Sequence, residues 1–171
     1  GTAVHGGGAG LVGLDLSFSF LGEPHGKLSA PHDSMASDGV SLLRDGLRHT
    51  GPTLQALYLG YSLLGQAGAV ALSLALPHMS SLHTLFLRDN GIDAEGALAL
   101  AVALPHTRCL RSLDLSYNAL GDAGVVAIAK ALPRARALAS LSLASQCPVC
   151  VSAHVLGLRT ACISDATCTS H

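Results

Sequence analysis

A repeated pattern of leucines constrains this chain more than any other feature of its sequence. The pattern Leu-x-x-Leu-x-Leu begins at Leu54, Leu82, Leu110 and Leu138, so its copies are separated by 28 residues each time. A fixed period in the range of about 20 to 50 residues indicates a protein built by stacking one structural unit. Because such a unit cannot bury its own apolar face, neighbouring copies must close the core together.

A fifth copy of the pattern begins at Leu11, which lies 43 residues before Leu54. Compared with the 28-residue period, this first unit contains 15 extra residues. We expect most of them to form a loop insertion at about Glu23 to Ala36, a segment rich in Pro, Gly, Ser and His. Long loops within compact domains are often functional, so this loop is predicted to be a second contact surface.

Within each unit, the apolar spacing changes from that of a strand to that of a helix. Leu113 and Leu115 alternate with polar neighbours, which predicts a short strand with one buried face. After Gly124, apolar residues recur at helical spacing until Pro133, and a proline at that point prevents the helix from continuing. Each unit is therefore predicted to contain one strand followed by one helix.

The full motif, Leu-x-x-Leu-x-Leu-x-x-Asn-x-Leu-Gly-Asp-x-Gly, resembles that of the leucine-rich repeat family, specifically its ribonuclease-inhibitor-like class. The resemblance covers residues 11–146, about four-fifths of the chain. It implies a right-handed α/β solenoid, a horseshoe segment with parallel strands on the concave face and helices on the convex face. Asn90 and Asn118 match the asparagine of the family, whose side chain would satisfy backbone groups where each strand turns away. The residues at the same position in the other units are Ser19, Ser62 and Gln146, which suggests weaker links at both ends.

The turn between strand and helix contains a position that suits glycine. Gly65 and Gly121 follow the last leucine of the turn, and a positive φ is predicted for both. Asp93 occupies this position in the third unit, and it is predicted to adopt the same conformation, which aspartate tolerates better than most residues.

The segments on either side of the repeats do not share their pattern. We expect residues 1–10 to be a Gly-rich lead-in and residues 147–171 to be a divergent, Cys-containing tail or a decayed capping repeat. The chain begins with Gly rather than Met, which suggests a fragment or a processed product of a longer solenoid. No secretory signal or long apolar run is recognisable, and the five cysteines do not resemble a disulfide framework, so a cytoplasmic location is expected.

The composition and the short motifs argue against catalysis and cofactor binding. Gly8 to Gly13 spells Gly-x-Gly-x-x-Gly, but it leads into a strand rather than from a strand into a helix, as dinucleotide binding requires. Cys147 and Cys150 form a Cys-x-x-Cys pair, the usual half of a zinc site, whereas Cys162 and Cys168 are too widely spaced for the other half. These four cysteines are weak metal candidates, and we expect no metal, no cofactor and no enzymatic activity.

The concave face is where we expect a partner to bind. Strand alternation leaves one residue of each unit exposed in a row, and neighbouring parallel strands lie about 4.8 Å apart. Tyr58 and Phe86 would be neighbours in this row, with Arg88 beside them, and such clusters dominate protein interfaces. The predicted partner-binding residues are Asp15, Tyr58, Thr84, Phe86, Arg88, Ser112, Asp114, Ser116 and Ser142. The alternative is that the aromatic pair only stabilises the sheet.

The outward-facing helix positions are also apolar, which is unusual for a solvated surface. They include Val70, Leu74, Leu98, Val102 and Val126, which suggests that something covers the convex face.

The sequence therefore predicts a non-catalytic scaffold that binds another protein, and further repeats of the same chain are a second candidate partner. With 10 Lys and Arg against 11 Asp and Glu, the chain has no global charge that would favour nucleic acid or a membrane surface. By resemblance, this class serves in enzyme inhibitors, in innate-immune and cytoskeletal regulators, and in GTPase-activating proteins for a small nuclear-transport GTPase. The GTPase-activating role and a purely structural spacer remain the alternatives.

Overall fold

A computed structural model of the chain describes residues 2–5, 11–19, 36–50 and 52–144. In chain order, its strands and helices are β1 (Thr2–His5), β2 (Leu11–Asp15), α1 (Ala36–Thr50), β3 (Ala56–Tyr58), α2 (Gly65–Ala75), β4 (Thr84–Phe86), α3 (Ala94–Ala103), β5 (Ser112–Asp114), α4 (Gly121–Ala131) and β6 (Ser140–Ser142). Short 3₁₀ helices, Leu76–His78 and Leu104–His106, follow α2 and α3. Each contains the proline that ends the preceding α-helix.

The strands of the described residues form one six-stranded sheet in the order β1-β2-β3-β4-β5-β6. From β2 to β6 the strands are parallel and their register follows the repeat, because the second leucine of each unit pairs with that of the next. A helix links each of these strands to the next along the chain up to β6. This arrangement confirms the predicted α/β solenoid.

The first strand is a feature that the sequence analysis did not predict. Residues 1–10 were expected to be a lead-in, whereas Thr2–His5 forms β1, which pairs antiparallel with β2. The first parallel strand of a solenoid has an edge of unpaired backbone groups, and β1 supplies their partners. This pairing depends on backbone groups rather than on an apolar pattern, so the leucine repeat carries no signal for it.

The core lies between the sheet and the helices, and leucines fill it. The three motif leucines of two neighbouring units are at most 1% exposed: Leu54, Leu57 and Leu59 in one unit, and Leu82, Leu85 and Leu87 in the next. Leu72 and Leu100 pack against them from the helices. The buried leucines of neighbouring units belong to one continuous cluster, so each unit completes the burial of the one before it.

Asparagine side chains connect successive units at the turn that follows each strand. Asn118 Oδ1 accepts hydrogen bonds from the backbone N–H groups of Asn90 (3.0 Å) and Ile92 (3.1 Å). Its Nδ2 group donates to the carbonyl oxygens of Leu87 (2.9 Å) and Leu115 (2.8 Å). Asn118 is 8% exposed, so it satisfies backbone groups that have little access to water. The predicted role of this asparagine is therefore confirmed.

The same arrangement recurs one unit earlier and then becomes weaker. Asn90 Oδ1 accepts from the backbone N–H groups of Ser62 (3.0 Å) and Leu64 (3.3 Å). Ser62 occupies the asparagine position of its own unit, and its hydroxyl meets the backbone N–H of Ser19 at 3.5 Å. A hydroxyl has a single donor, so it cannot reproduce the set of bonds that a carboxamide makes.

The prediction for the turn glycines holds at two positions and is wrong at the third. Gly65 and Gly121 both have φ of 58°. Asp93 has φ of −93°, and its carboxylate caps α3 by accepting a hydrogen bond from the Gly96 N–H at 2.8 Å. In this unit α3 begins at Ala94, one residue later than the repeat of α2 would place it, which leaves Asp93 in the capping position.

We expect Asn118→Ala to lower the free energy of unfolding by about 3 kcal/mol or more, because it leaves several buried backbone groups without partners. Urea unfolding followed by circular dichroism measures this loss. Ser62→Ala is the matched control, and it should cost about 1 kcal/mol because one hydroxyl makes fewer bonds than the carboxamide. Equal losses in the two variants would contradict the role given to the asparagine.

Candidate protein-binding surface

The sheet face that points away from the helices, here called the open face, presents the row predicted from the sequence. Cα pairing places its residues side by side across five strands. This central row consists of Asp15, Tyr58, Phe86, Asp114 and Ser142. Tyr58 is 40% exposed, whereas the other four side chains are partly buried. Tyr58 and Phe86 are in contact, with ring centroids 6.2 Å apart and planes tilted by 46°.

Each aspartate of the central row is oriented by its own strand. Asp15 Oδ1 accepts a hydrogen bond from the Ser17 N–H at 2.9 Å, and Asp114 Oδ1 accepts one from the Ser116 N–H at 2.8 Å. The backbone hydrogen bond from Ser17 lowers the pKa of Asp15 below its ordinary value. Asp15 is therefore ionised at neutral pH, and a fixed negative charge lies at one end of the aromatic pair.

A second set of predicted residues lies on the row at the N-terminal end of the strands. Thr84 of β4 pairs with Ser112 of β5, and both side chains are partly buried. Their row continues to Gly13 and Ala56 on one side and to Ser140 on the other. These side chains are short, so this part of the open face is shallow and lies beside the aromatic pair.

One predicted binding residue is not available to a partner. Ser116 was expected to be exposed, but it is only 1% exposed, and its hydroxyl lies 2.6 Å from the hydroxyl of Ser142. The prediction extended strand alternation past Asp114, where β5 ends. Beyond that point the chain turns, and Ser116 is buried against Ser142 of the neighbouring unit.

A glycine determines where the ring of Phe86 lies. A Cβ atom placed on Gly60 would be 2.9 Å from Cε1 of Phe86 and 3.1 Å from its Cδ1. The ring therefore extends over the backbone of Gly60, in the space that a side chain would otherwise occupy. This contact leaves Phe86 partly buried and Tyr58 as the more exposed member of the pair.

A second group of aromatic side chains, which the sequence analysis missed, lies where the strands end. Phe18, Tyr61, Asp89 and Tyr117 occupy the same position in four successive units, and all have positive φ, between 52° and 60°. This conformation costs a non-glycine residue about 1–2 kcal/mol. Hydrogen bonds to the next unit compensate, as when Tyr61 N–H donates to the Arg88 carbonyl at 2.9 Å.

The three aromatic residues of this group lie near Arg88. We call the set of Phe18, Tyr61, Arg88 and Tyr117 the aromatic edge. The rings of Phe18 and Tyr61 are stacked, with centroids 4.8 Å apart. Arg88 Nε donates to the Tyr61 hydroxyl at 2.9 Å, and the guanidinium carbon lies 4.1 Å from the centre of the Tyr117 ring. Phe18 and Tyr117 are 64% and 41% exposed. The signal in the sequence was an aromatic residue four positions after the second leucine in three units.

Electrostatics keep Arg88 charged in this setting. Burial lowers the pKa of Arg88, but the hydrogen bond to Tyr61 and the charge of Asp114 raise it, and the net shift is upward. A guanidinium held over an aromatic ring also gains from the negative face of that ring. Arg88 was predicted to be a binding residue, and the structure places its side chain against Tyr61 and Tyr117, just beyond the end of β4.

The helices present an apolar surface, as the sequence analysis predicted. Val70, Leu98 and Val126 share one repeat position and are 38%, 55% and 46% exposed. Leu42 of α1 is also 72% exposed. Leu74 and Val102 form a second row that is 57% and 66% exposed.

Several sequence predictions lie wholly or partly outside the described residues. They include the four candidate metal ligands, Cys147, Cys150, Cys162 and Cys168. The predicted loop also lies outside them from Glu23 to residue 35, and its last residue, Ala36, is the first residue of α1. Among the residues that are described, no group of three or more His, Cys, Asp or Glu side chains could hold a metal ion. No helix in the same part of the chain is both long enough and apolar enough to cross a bilayer.

We expect Gly60→Ala to displace the Phe86 ring while leaving the fold intact, because the clash is with the far end of a side chain that can rotate. Loss of the aromatic contact should cost about 1 kcal/mol of unfolding free energy. Nuclear Overhauser effects between the Tyr58 and Phe86 ring protons measure the displacement. Gly46→Ala is the control, because nothing lies within 4 Å of its added Cβ. Retention of the ring contacts in Gly60→Ala would disprove this geometry.

Comparison with known proteins agrees with this architecture. A model of the family described as Leucine Rich repeat matches residues 78–101 and 106–129, which contain β4 with most of α3 and β5 with most of α4. A search of curated proteins finds no match to the chain. Domains of this family generally mediate protein–protein interactions and are typically non-catalytic scaffolds. The two matches and the five parallel strands in repeat register show that the chain contains leucine-rich repeats.

Proposed function

We propose that this protein is a non-catalytic scaffold that binds another protein through the open face of its sheet, the concave face of the sequence prediction. The observation that carries the proposal is the contact pair of Tyr58 and Phe86 in the middle of the central row. Arg88 follows Phe86 by two residues, and its side chain contacts Tyr61 and Tyr117. Tyrosine and arginine are enriched among the residues that dominate binding energy at protein interfaces.

The surroundings of the aromatic pair support the same function. Asp15 and Asp114 lie at the two ends of the pair, and their backbone hydrogen bonds fix the carboxylates in place. Rigid groups lose little entropy when a partner binds. Because the residues come from successive strands of a sheet, they form a preorganised surface that requires no rearrangement.

The alternative that the aromatic pair serves only the sheet accounts for less of this arrangement. A contact between two aromatic rings is worth about 0.5–1.5 kcal/mol, and it does not require Tyr58 to remain exposed. The loop at Glu23 to Ala36, which follows β2 in the chain, is proposed as a second contact at the strand-exit edge. We also propose the ribonuclease-inhibitor-like class, because the units repeat every 28 residues and carry α-helices of ten residues or more.

We expect the double substitution Tyr58→Ser and Phe86→Ala to weaken partner binding by about 100-fold, because two anchors of roughly 2 kcal/mol each would be lost. Proteins captured from a lysate on the immobilised wild-type chain are first identified by mass spectrometry. The strongest candidate is then purified, and its Kd for both forms is measured by calorimetry. Circular dichroism checks that the variant remains folded.

The matched control is Leu74→Ser with Val102→Ser, which removes two exposed side chains from the helix side of the solenoid. This variant should keep the affinity of the wild type if the open face is the binding surface. An unchanged Kd in the Tyr58 and Phe86 variant would contradict the proposal. Stimulation of GTP hydrolysis by a small nuclear-transport GTPase, in a single-turnover assay, would instead favour the GTPase-activating alternative.

A further inference from the structure

Arg88 is held in place before any partner arrives. Its Nε group donates to the Tyr61 hydroxyl at 2.9 Å, and its guanidinium lies 4.1 Å from the centre of the Tyr117 ring. Tyr61 and Tyr117 come from the units before and after the one that contains Arg88, so contacts between units hold this side chain. A side chain that is fixed in the free protein loses little additional freedom when it binds.

The charge of Arg88 is not paired by the described residues. The ion pair between described residues is that of Arg44 and Asp45 in α1, and no described carboxylate lies within 4.0 Å of the Arg88 guanidinium. Asp114 is close enough to influence its charge, but Asp114 Oδ1 already accepts from the Ser116 N–H. A partly buried cation with only a neutral phenol as a hydrogen-bond partner favours a ligand that supplies the missing negative charge.

The N–H donors of Arg88 that Tyr61 does not use are suited to bind a carboxylate. Arginine has five N–H donors, of which the Nε donor is used by Tyr61. The two Nη groups donate no hydrogen bond to the described residues. They form a planar fork that can donate two parallel hydrogen bonds to one carboxylate.

The neighbouring charges favour a single negative charge over a phosphate. Asp89 follows Arg88 directly and is exposed, and Asp114 lies in the adjacent row. Both would repel an incoming anion, and a phosphate group carries about twice the charge of a carboxylate at neutral pH. A carboxylate therefore gains the attraction of Arg88 at a smaller cost from the two aspartates.

The exposed rings around Arg88 indicate what should accompany the carboxylate. Phe18 is 64% exposed and stacks on Tyr61, and Tyr117 is 41% exposed beneath the guanidinium. These rings offer apolar area on both sides of the charge, which suits an apolar or aromatic residue next to an acidic one.

We propose that the aromatic edge is a receptor for an acidic residue of the protein partner, in which the Arg88 guanidinium binds an Asp or Glu carboxylate and the rings of Phe18 and Tyr117 contact the apolar residue beside it. This inference rests on the proposed function, because it names the chemistry of the partner that the open face would bind.

The test uses a phage-displayed library of random 12-residue peptides selected on the full chain. Enriched peptides should share an Asp or Glu next to an apolar or aromatic residue. The Kd of a synthetic copy is then measured by fluorescence anisotropy against the wild type and Arg88→Gln. We expect a loss of about 30-fold, since one member of a hydrogen-bonded charge pair is removed. Replacing the acidic residue of the peptide by its amide should cause a similar loss, and the two changes together should cost no more than either alone.

Two further protein variants separate this role from general charge and from folding. Arg111→Gln removes another exposed arginine, at the opposite end of the strands, and should leave the Kd within about twofold. Arg88→Lys keeps the charge but loses the planar fork, so its affinity should fall between those of the wild type and Arg88→Gln. Thermal unfolding by circular dichroism confirms that each variant is folded.

The possible outcomes distinguish failure of the Arg88 inference from failure of the proposed function. If the selected peptides need Tyr58 and Phe86 for binding but share no acidic residue, the Arg88 inference is overturned and the proposed function stands. Acidic peptides that bind Arg88→Gln as tightly as the wild type also overturn that inference. If a peptide with phosphoserine in place of the acidic residue binds tenfold more tightly, phosphate is the true ligand and the carboxylate proposal is overturned. A selection that yields no binder of the open face counts against both proposals.

Discussion

The structure depends on burial that is shared between neighbouring repeats. The leucines of one strand are enclosed only when the next strand and helix are in place, and the buried residues of all the units form one cluster. Asn90 and Asn118 add hydrogen bonds that cross the same boundaries. Every element that presents the candidate surface therefore owes its position to contacts made between units rather than within one.

This dependence explains why bulky residues adopt an unfavourable backbone conformation in four successive units. Phe18, Tyr61, Asp89 and Tyr117 all have positive φ, and each donates its backbone N–H to a carbonyl oxygen of the following unit. The hydrogen bond offsets the conformational cost. It also turns the aromatic side chains towards one another at the end of the strands. The aromatic edge is thus a consequence of how the units connect.

The two surfaces of the solenoid differ in their chemistry. The open face carries aspartates, aromatic rings and Arg88, with most polar groups already held by hydrogen bonds. The helix face carries Val70, Leu98 and Val126 in one exposed apolar row. The open face has the mixture of aromatic and charged groups that is typical of specific protein interfaces, whereas the apolar row carries no feature that identifies what covers it.

The sequence by itself determined the repeating strands β2 to β6, the helices, the leucine core and the residues of the central row, because a period of 28 residues fixes which positions of neighbouring units meet. It also determined the asparagine links, since the motif carries them. Tertiary structure decided what happens beyond the end of each strand. There Ser116 becomes buried, Asp93 caps a helix, and Arg88 lies between two tyrosines. Strand β1 likewise depended on an unpaired sheet edge. Strand alternation predicts the direction of a side chain only while the strand continues. The contacts beyond the strand ends join residues that are distant in the chain, or they follow a residue with positive φ, so alternation does not predict them.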